Sequence, residues 1–363
     1  MLKLTPPDYI AGLTPYKPGK PLEELEREYG ISDSIKLASN ENPLGPSPAA
    51  LKAMQGALKE LHRYPDGSGF KLKRKISEKF GVDSGRVVLG NGSDEIIGML
   101  TRAFLQPGDE VVLPTPSFLM YAIMVRSAGA VPVYVPLKDL SLDLDGMKSR
   151  VNPKTRMIFI CNPNNPTGTF ISDRDFRGFL ESLPTELMVV VDEAYIEFVR
   201  GVKAASSIEY LKGGRELVTL RTFSKAYGLA GLRIGFGVMP PEVADLLNRV
   251  RQPFNANSLA QIGALAALDD TVFFEKTLKL IHSGLDFLYS SLDKMGIEYF
   301  PSQANFFLVN VRQNADAVFE AMLKQGVIVR SMTEYGFPEF IRINVGLPAE
   351  NDRFLKALAK VLG

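Results

Sequence analysis

The 363-residue sequence predicts an α/β protein: a large domain with a mostly parallel seven-stranded sheet flanked by helices, plus a smaller α/β domain. Short apolar runs without an alternating polar face are typical of strands buried on both sides. Segments of helix length separate these runs, and repeated strand–helix–strand alternation favours a parallel sheet with helices on both faces. The seven runs cover residues 87–89, 110–113, 131–135, 157–161, 187–191, 217–221 and 234–239.

The N-terminal segment, residues 1–45, predicts an extended arm. It is rich in proline and turn-forming residues, which disfavour helix. We therefore expect at most one short helix there, near residues 22–29. Tyr16 and Asn42 lie in this arm and become candidate contacts of a ligand only if the arm crosses a binding site.

The remaining chain divides into a large domain at residues 46–258 and a small C-terminal domain at 259–363, which the arm is expected to join. The pattern turns more helical between about residues 260 and 292. A smaller α/β unit follows. Its predicted strands cover residues 305–309, 327–329 and 340–345, and its predicted helices cover 315–325 and 350–361.

Composition limits the partners and the compartment. A formal net charge of +1 argues against nucleic acid or an anionic membrane as a whole-surface partner. One cysteine, Cys161, and two histidines make an internal disulfide framework or a metal site unexpected. The sequence shows no signal peptide and no apolar stretch long enough for a membrane helix. We therefore expect a cytoplasmic protein.

Polar or glycine-rich loops follow five of the apolar runs. Ligands of parallel α/β sheets bind just beyond the carboxyl ends of the strands, so these loops are expected to converge on one edge. Chance places one or two polar loops there, whereas five indicate a binding site. The loops contain Gly92-Ser93-Asp94-Glu95, Pro114-Thr115-Pro116-Ser117-Phe118, Asn162 to Gly168, Asp192-Glu193-Ala194-Tyr195 and Ser224-Lys225.

The loop at Ser93 and Asp94 is a candidate anion site. Free backbone N–H groups and the dipole at the start of the following helix suit a phosphate. An ordinary glycine turn capped by Ser93 or Asp94 is the competing interpretation. The loop lacks the Gly-Lys-Ser/Thr ending of a nucleotide P-loop and is not a dinucleotide fingerprint.

Two charged residues suggest covalent chemistry on an aromatic aldehyde. Lys225 lies among small and apolar residues, and partial desolvation favours the neutral amine that a Schiff base requires. A surface lysine in a glycine-rich connection is the alternative. Asp192 ends an apolar strand, where a carboxylate is costly unless a cation such as a protonated pyridine nitrogen meets it. A helix N-cap or a metal ligand is the competing reading of Asp192.

Three further side chains complete the candidate pocket. Phe118 could cover one face of a flat ring, although a core phenylalanine is the simpler interpretation. Tyr195 and Asn165 could donate hydrogen bonds to a phenolate-type oxygen. An anion cradle, a ring cover, a carboxylate and an amine nucleophile together describe a site for pyridoxal 5′-phosphate.

The motifs resemble a known family, the class II aminotransferases of pyridoxal-phosphate fold type I. Ser224-Lys225 with Arg233, Asp192-x-x-Tyr195 and Asn165-Pro166-Thr167-Gly168 carry this resemblance, which extends from about Tyr16 to the C-terminus. Further stretches are similar to the histidinol-phosphate aminotransferase branch. These are Ser39-Asn40-Glu41-Asn42-Pro43, Arg63-Tyr64-Pro65-Asp66, Arg251-Gln252-Pro253-Phe254-Asn255 and Arg342-Ile343-Asn344-Val345-Gly346.

The resemblance implies a role for each candidate around the ring. Lys225 would form the Schiff base with the cofactor and then shuttle a proton. Asp192 would pair with the pyridinium nitrogen, and Asn165 and Tyr195 would bond the ring oxygen. Phe118 would stack on the ring in place of the tyrosine found in the family pattern.

The resemblance also implies two anion sites. Ser93, Asp94, Ser224 and Arg233 would hold the cofactor phosphate, together with Tyr64 reaching across a homodimer interface. The substrate-binding set would be Arg342 on the α-carboxylate, Arg330 with Tyr16 on a substrate phosphate, and Asn42.

The implied reaction is reversible transamination of histidinol phosphate and 2-oxoglutarate to imidazole acetol phosphate and glutamate, in histidine biosynthesis. An aromatic or general amino acid aminotransferase remains an alternative, as does an amino acid phosphate decarboxylase on the same scaffold. A non-catalytic pyridoxal-binding regulator is a further alternative, but the proline-rich arm is too short to be a DNA-reading domain.

Overall fold

The computed structural model describes residues 4–16, 18–202 and 206–363. Its strands include the seven that the apolar runs predict. The strands are β1 Ile35–Lys36, β2 Val87–Gly90, β3 Glu110–Thr115, β4 Val131–Pro136, β5 Thr155–Cys161, β6 Met188–Asp192, β7 Leu217–Thr222, β8 Gly235–Val238, β9 Tyr299–Phe300, β10 Phe306–Asn310, β11 Val327–Ile328, β12 Arg330–Ser331 and β13 Phe340–Asn344.

The α-helices of the described residues alternate with these strands. They are α1 Asp8–Ala11, α2 Leu22–Tyr29, α3 Pro48–Ala57, α4 Phe70–Phe80, α5 Ser93–Phe104, α6 Met120–Ser127, α7 Leu144–Ser149, α8 Asp173–Ser182, α9 Pro241–Val250, α10 Ser258–Asp269, α11 Thr271–Met295, α12 Ala315–Leu323 and α13 Pro348–Leu362. Among the described residues, none of these helices is long and apolar enough to cross a bilayer.

The large sheet has the strand order β2-β8-β7-β6-β5-β3-β4. Only β8 runs antiparallel to its neighbours; the other pairs are parallel. The predicted fold class, a mostly parallel seven-stranded sheet flanked by helices, is therefore confirmed. Because β2, β3, β5, β6 and β7 point the same way, their carboxyl ends and the loops that follow lie along one edge.

Both faces of the large sheet are covered by apolar side chains. On β5, Ile158 and Ile160 belong to one buried cluster, whereas Met157, Phe159 and Cys161 belong to the cluster on the opposite face. This alternation follows from the period of two in a strand. A strand that is buried on both faces has no polar side to expose, which explains why the runs read as continuously apolar.

A smaller sheet of order β12-β13-β10-β9 packs against α11, α12 and α13. The arm reaches this region, because β1 pairs in parallel with β11 and Leu37 lies in the same core cluster. Helix α10 contributes to the core of the large sheet, through Ala260, Ala264 and Leu268, whereas α11 contributes to that of the small sheet. The domain division at residue 258 stays a prediction.

The arm contains one helix more than the sequence predicts. Helix α2 spans Leu22–Tyr29, as expected, but the four-residue α1 at Asp8–Ala11 was missed. Pro7 precedes α1, and proline is compatible with the start of a helix because the N–H it lacks would have no intrahelical partner there. The prolines of this segment therefore did not exclude a single helical turn.

The loop that follows Lys225 packs backbone to backbone on the arm. Gly228 has φ +69°, and a Cβ at this position would lie 2.1 Å from the carbonyl oxygen of Gly45. Only a residue without a side chain allows this approach. The contact fixes the arm against the loop that carries the predicted nucleophile.

We predict that Gly228→Ala destabilises the protein more than Gly296→Ala does. Gly296 also has positive φ, but a Cβ there meets nothing within 4 Å. The control substitution should lose about 1 kcal/mol of unfolding free energy from the left-handed conformation alone. Gly228→Ala should lose at least about 1 kcal/mol more, because the arm must move. Urea unfolding of both variants measures the difference; equal losses would contradict the backbone contact.

Candidate active site

A cavity of about 350 Å³ opens at the carboxyl edge of the large sheet. Its lining includes nine residues that the sequence singles out, contributed by all five predicted loops. These are Ser93, Asp94, Phe118, Asn165, Asp192, Tyr195, Ser224, Lys225 and Arg233. The convergence of five separate loops is therefore a property of the fold. Tyr64, Tyr16, Asn42, Arg330 and Arg342 do not belong to the lining of this cavity.

Lys225 follows β7 and has an amine poised for deprotonation. Its Nζ donates to the carbonyl oxygen of Ser39 at 3.1 Å and lies 5.7 Å from the ring centroid of Tyr195. Burial, with a smaller contribution from the positive charge of Arg342, lowers the pKa of Lys225 to about 8. At pH 7 the protonated form therefore still predominates, but the neutral fraction is far larger than that of an ordinary lysine.

Asp192 ends β6 and is 3% exposed. Tyr121 Oη donates to its Oδ2 at 2.7 Å, and the backbone N–H of Ala194 donates to its Oδ1 at 3.1 Å. Burial raises the pKa of Asp192 to about 6, although the Tyr121 hydrogen bond opposes the shift. Among the described residues, no cationic side chain forms an ion pair with Asp192.

Tyr195 lies beside the arm. Its hydroxyl accepts a hydrogen bond from Asn40 Nδ2 at 3.0 Å, so its own proton stays available for donation. Burial raises the pKa of Tyr195, which keeps the phenol protonated. Asn40 itself has φ +56°, a left-handed conformation that asparagine tolerates better than most residues.

The start of α5 forms one corner of the cavity. Gly92 at its N-cap has φ +80° and supplies no side-chain cap, so the first backbone N–H groups of the helix lack that partner. Arg233 Nη2 lies 3.3 Å from Asp94 Oδ2, and a Cβ at Gly92 would come within 2.6 Å of the same guanidinium nitrogen. The corner combines helix N–H groups with a cation, a combination that suits a phosphate.

Arg342 lies on β13 and contacts the cavity lining through Asn165. Its Nη1 donates to Asn165 Oδ1 and its Nη2 donates to the carbonyl oxygen of Ala38 at 2.9 Å. Its Nε is buried and has no hydrogen-bond partner in the part of the chain that the structure describes. A buried guanidinium with an unused N–H is a strong candidate to bind an anion.

Arg330 is the cross-strand partner of Arg342 in the β12–β13 pair. Opposed residues in an antiparallel pair project on the same face, so the two guanidinium groups share one side of the small sheet. Arg330 Nη2 lies 3.4 Å from Glu334 Oε2. Burial lowers the pKa of Arg342, and the charge of Arg330 adds to this lowering.

The structure places the remaining predicted residues away from the cavity lining. Asn42 is buried and donates through Nδ2 to the carbonyl oxygen of Ala226 and to Thr277 Oγ1. Tyr16 is 40% exposed. Tyr64 is 83% exposed and stacks on Phe254, with ring centroids 4.7 Å apart.

A buried ionic network lies beside the cavity. Arg221 Nε is 2.8 Å from Glu193 Oε2, and Arg221 Nη1 is 3.0 Å from Glu197 Oε1. The hydroxyl groups of Ser206 and Ser207 donate to the Glu193 carboxylate. The network joins the loop after β6 to the end of β7 and so fixes the positions from which Asp192 and Lys225 extend.

The sequence alone does not identify several residues of the site. Tyr121 and Asn40 bind predicted site residues directly, and Ser39 and Glu41 line the cavity. The Ser39-Asn40-Glu41-Asn42-Pro43 motif pointed to the arm but not to which asparagine reaches Tyr195. For Tyr121, the sequence gives no indication of a role in the site apart from its position three residues after Phe118.

The arrangement matches the chemistry of pyridoxal phosphate. Within the described ranges, the buried Asp192 carboxylate has no cationic partner, and the start of α5 has no side-chain cap. These two groups suit the ring nitrogen and the phosphate of the cofactor, and Lys225, with its lowered pKa, suits the aldehyde. The fold and site therefore define a pyridoxal-phosphate enzyme of fold type I.

Comparison with known proteins places the chain within this class. Residues 32–358 match the family Aminotransferase class I and II, to which this chain belongs. It is 51% identical over 364 residues to a histidinol-phosphate aminotransferase of Desulfotalea psychrophila, covering 99% of this chain and 96% of the relative. It is 48% identical over 358 residues to histidinol-phosphate aminotransferase 2 of Nitrosospira multiformis, covering 98% and 91%.

A solved structure agrees with this assignment. The histidinol-phosphate aminotransferase of Sinorhizobium meliloti, crystallised with pyridoxal-5′-phosphate, superposes with a TM-score of 0.91 at 28% identity, covering 100% of this chain and 98% of that one. The predicted family and the predicted cofactor are thus confirmed. The protein is a pyridoxal-phosphate-dependent aminotransferase.

We predict that Lys225 in the cofactor-free protein reacts as an amine of pKa about 8. Reductive methylation with formaldehyde, followed by peptide mass spectrometry, should give a rate that rises through about pH 8, against about 10.4 for an ordinary lysine. Arg342→Gln should move the midpoint of Lys225 upward, because one positive neighbour is lost. A midpoint near that of ordinary lysines would contradict the effect of burial.

Proposed function

We propose that this aminotransferase converts histidinol phosphate and 2-oxoglutarate to imidazole acetol phosphate and glutamate, in the cytoplasm. The names of its relatives support this substrate, and the observation that carries it is the opposed pair Arg330 and Arg342. Two like charges on one face repel each other, and among the described residues only Arg330 of the two forms an ion pair, with Glu334 Oε2 at 3.4 Å. A site that must take both a carboxylate and a phosphate needs such a pair.

Lys225 is the proposed proton carrier. When bound, pyridoxal phosphate supplies an aldehyde that takes up the amino group and a ring that withdraws electrons from the donor's α-carbon. The neutral Lys225 amine removes the proton from the α-carbon and returns it at the aldehyde-derived carbon. A pKa near the working pH suits both directions of this transfer.

The other cavity residues are proposed to hold the cofactor. Asp192 pairs with the ring nitrogen, and Phe118 covers one face of the ring. Tyr195 and Asn165 bond the ring oxygen: the hydroxyl proton of Tyr195 is free because Asn40 supplies a donor, and Asn165 uses its Oδ1 on Arg342. The phosphate set is Ser93, Asp94, Ser224 and Arg233, with Tyr64 of a second subunit.

Arg342 is proposed to bind the α-carboxylate of glutamate through its unpartnered Nε and its Nη groups. Histidinol phosphate has no carboxylate, so its phosphate would be met by Arg330, with Tyr16 and Asn42 as further members of the substrate-binding set. Burial of Asn42 against Ala226 and Thr277 supports an indirect contribution, by fixing the arm next to Lys225.

A second copy of the chain is the proposed partner. Large apolar side chains are exposed around the start of the large domain, a feature typical of an interface. Tyr64 is highly exposed and does not line the cavity of its own subunit. Its proposed contact with the phosphate therefore requires the cavity of another subunit. The exposed apolar residues are Leu51, Leu58, Leu61, Tyr64, Phe70 and Phe254.

We predict that Arg330→Gln selectively impairs the phosphorylated substrate. The value of kcat/KM for histidinol phosphate should fall by roughly 30- to 100-fold, the scale of one lost charged hydrogen bond. Turnover of phenylalanine should change little, and Arg312→Gln, at an exposed position, is the matched control. Wild-type turnover of histidinol phosphate no faster than that of phenylalanine would favour the general aminotransferase instead. Faster turnover of threonine phosphate with loss of carbon dioxide would favour the decarboxylase.

We predict that Tyr64→Ala and Lys225→Ala variants complement each other. In a two-fold symmetric dimer, a mixed pair contains one site with both defects and one intact site. After equal mixing and reassociation, activity at limiting cofactor should recover to roughly a quarter of the wild-type value. If Tyr64 served its own subunit, mixing would give no recovery above the mean of the two parents.

A further inference from the structure

Tyr121 is buried beneath the cavity and is oriented by two aromatic contacts. Its side chain is 1% exposed, its ring stacks on Phe159 with centroids 4.8 Å apart, and it meets the edge of Phe118 at 5.5 Å. This packing leaves the ring little freedom to turn away from Asp192. The hydroxyl donates to Asp192 Oδ2 at 2.7 Å.

Among the described residues, no other side chain donates a hydrogen bond to Asp192 or forms an ion pair with it. Asp94, Glu193, Cys161 and Tyr195 are titratable groups whose charge acts on Asp192, and none of them contributes a positive charge. Lys225 lines the same cavity but forms no ion pair with Asp192 among the described residues. Ala194 donates through its backbone to Oδ1. Among the described residues, Tyr121 is therefore the side-chain donor that offsets the burial of this carboxylate.

We propose that Tyr121 is a positioning residue that keeps Asp192 ionised and correctly oriented for the ring nitrogen of the cofactor. The inference rests on the role proposed for Asp192 and is independent of the identity of the amino donor. A hydrogen bond to a carboxylate favours its charged form, and a fixed donor also prevents rotation of the carboxylate plane.

The chemistry of the phenol suits this role. Burial and the neighbouring Asp192 charge raise the pKa of Tyr121 well above its usual value, so its proton is retained across the working pH range. A phenol that never ionises is a permanent donor. Asp192 already accepts from Tyr121 and from the backbone N–H of Ala194, so a third hydrogen bond can come from the protonated ring nitrogen.

The sign of the pH effect follows from this arrangement. The pKa of Asp192 in the folded, cofactor-free protein is about 6 with the Tyr121 hydrogen bond in place. Removing the hydroxyl takes away a group that lowers this pKa, so the pKa rises and Asp192 becomes protonated at higher pH. As the pH falls, the variant should therefore lose its affinity for the cofactor at a higher pH than the wild type does.

The test measures the cofactor dissociation constant of the apoenzyme between pH 5 and 9, by equilibrium dialysis with detection of free pyridoxal phosphate. Tyr121→Phe removes only the hydroxyl. The acid limb of the profile is the range in which affinity falls as the pH is lowered. We expect this limb to lie roughly 1 pH unit higher in Tyr121→Phe, the scale of one hydrogen bond to a charged group. The matched control is Tyr289→Phe, which loses a partly buried hydroxyl bonded to the Ser302 N–H, far from Asp192 in the chain and on α11.

Three results would support or overturn the proposal. A shifted limb in Tyr121→Phe with an unshifted limb in Tyr289→Phe supports it; identical limbs in wild type and Tyr121→Phe overturn it. Asp192→Asn should lose the part of the acid limb that Asp192 contributes and keep only the part from the cofactor's phosphate, whose second pKa is about 6. If Asp192→Asn keeps both the whole limb and the wild-type affinity, the proposed role of Asp192 fails as well, which separates the two failures.

A double variant covers the case in which Tyr121→Phe does not fold because a buried carboxylate loses its donor. In Tyr121→Phe/Asp192→Asn this charge is absent. If Tyr121 acts through Asp192, the double variant should match Asp192→Asn in cofactor affinity at every pH. A further tenfold loss of affinity in the double variant would show that Tyr121 acts on something else and would overturn the proposal.

Discussion

A buried ion pair between Glu193 and Arg221 ties together the two strand ends on which the site depends. Glu193 follows β6 and is 1% exposed; Arg221 lies near the end of β7 and is 6% exposed. Removing one partner of such a pair leaves an uncompensated buried charge, at a cost of about 3–5 kcal/mol. The positions of Asp192 and Lys225 are therefore held by an interaction that is costly to break, although it touches neither of them.

The same region shows why the fold was easier to predict than the site. Seven apolar runs predict seven strands because burial on both faces leaves a continuous signal in the sequence. The loops at their ends are then brought together by strand direction alone. Arg221 was read as the last residue of an apolar run, because its charge partner Glu193 lies on another strand end and spacing along the chain does not reveal this pairing.

Contacts between distant segments account for most of what the sequence did not reveal. Asn40 and Tyr195 are 155 positions apart, and their hydrogen bond depends on a left-handed backbone in the arm. Tyr121 lies on an apolar helix, where a tyrosine is typical of the core. The role proposed for Tyr121 depends on its hydroxyl group, which donates to Asp192 because of tertiary packing and not because of the helical pattern.

Burial moves the pKa values of Lys225 and Asp192 toward each other, to about 8 and about 6. Each shift favours the neutral form of its group, so the cofactor-free site reduces its own desolvation cost. In the proposed roles, a protonated ring nitrogen would stabilise the charged form of Asp192, whereas the neutral amine of Lys225 would be the reactive form. Burial at the edge of the sheet thus underlies both proposed roles, because it leaves the Asp192 carboxylate favoured by a nearby cation and the Lys225 amine partly neutral.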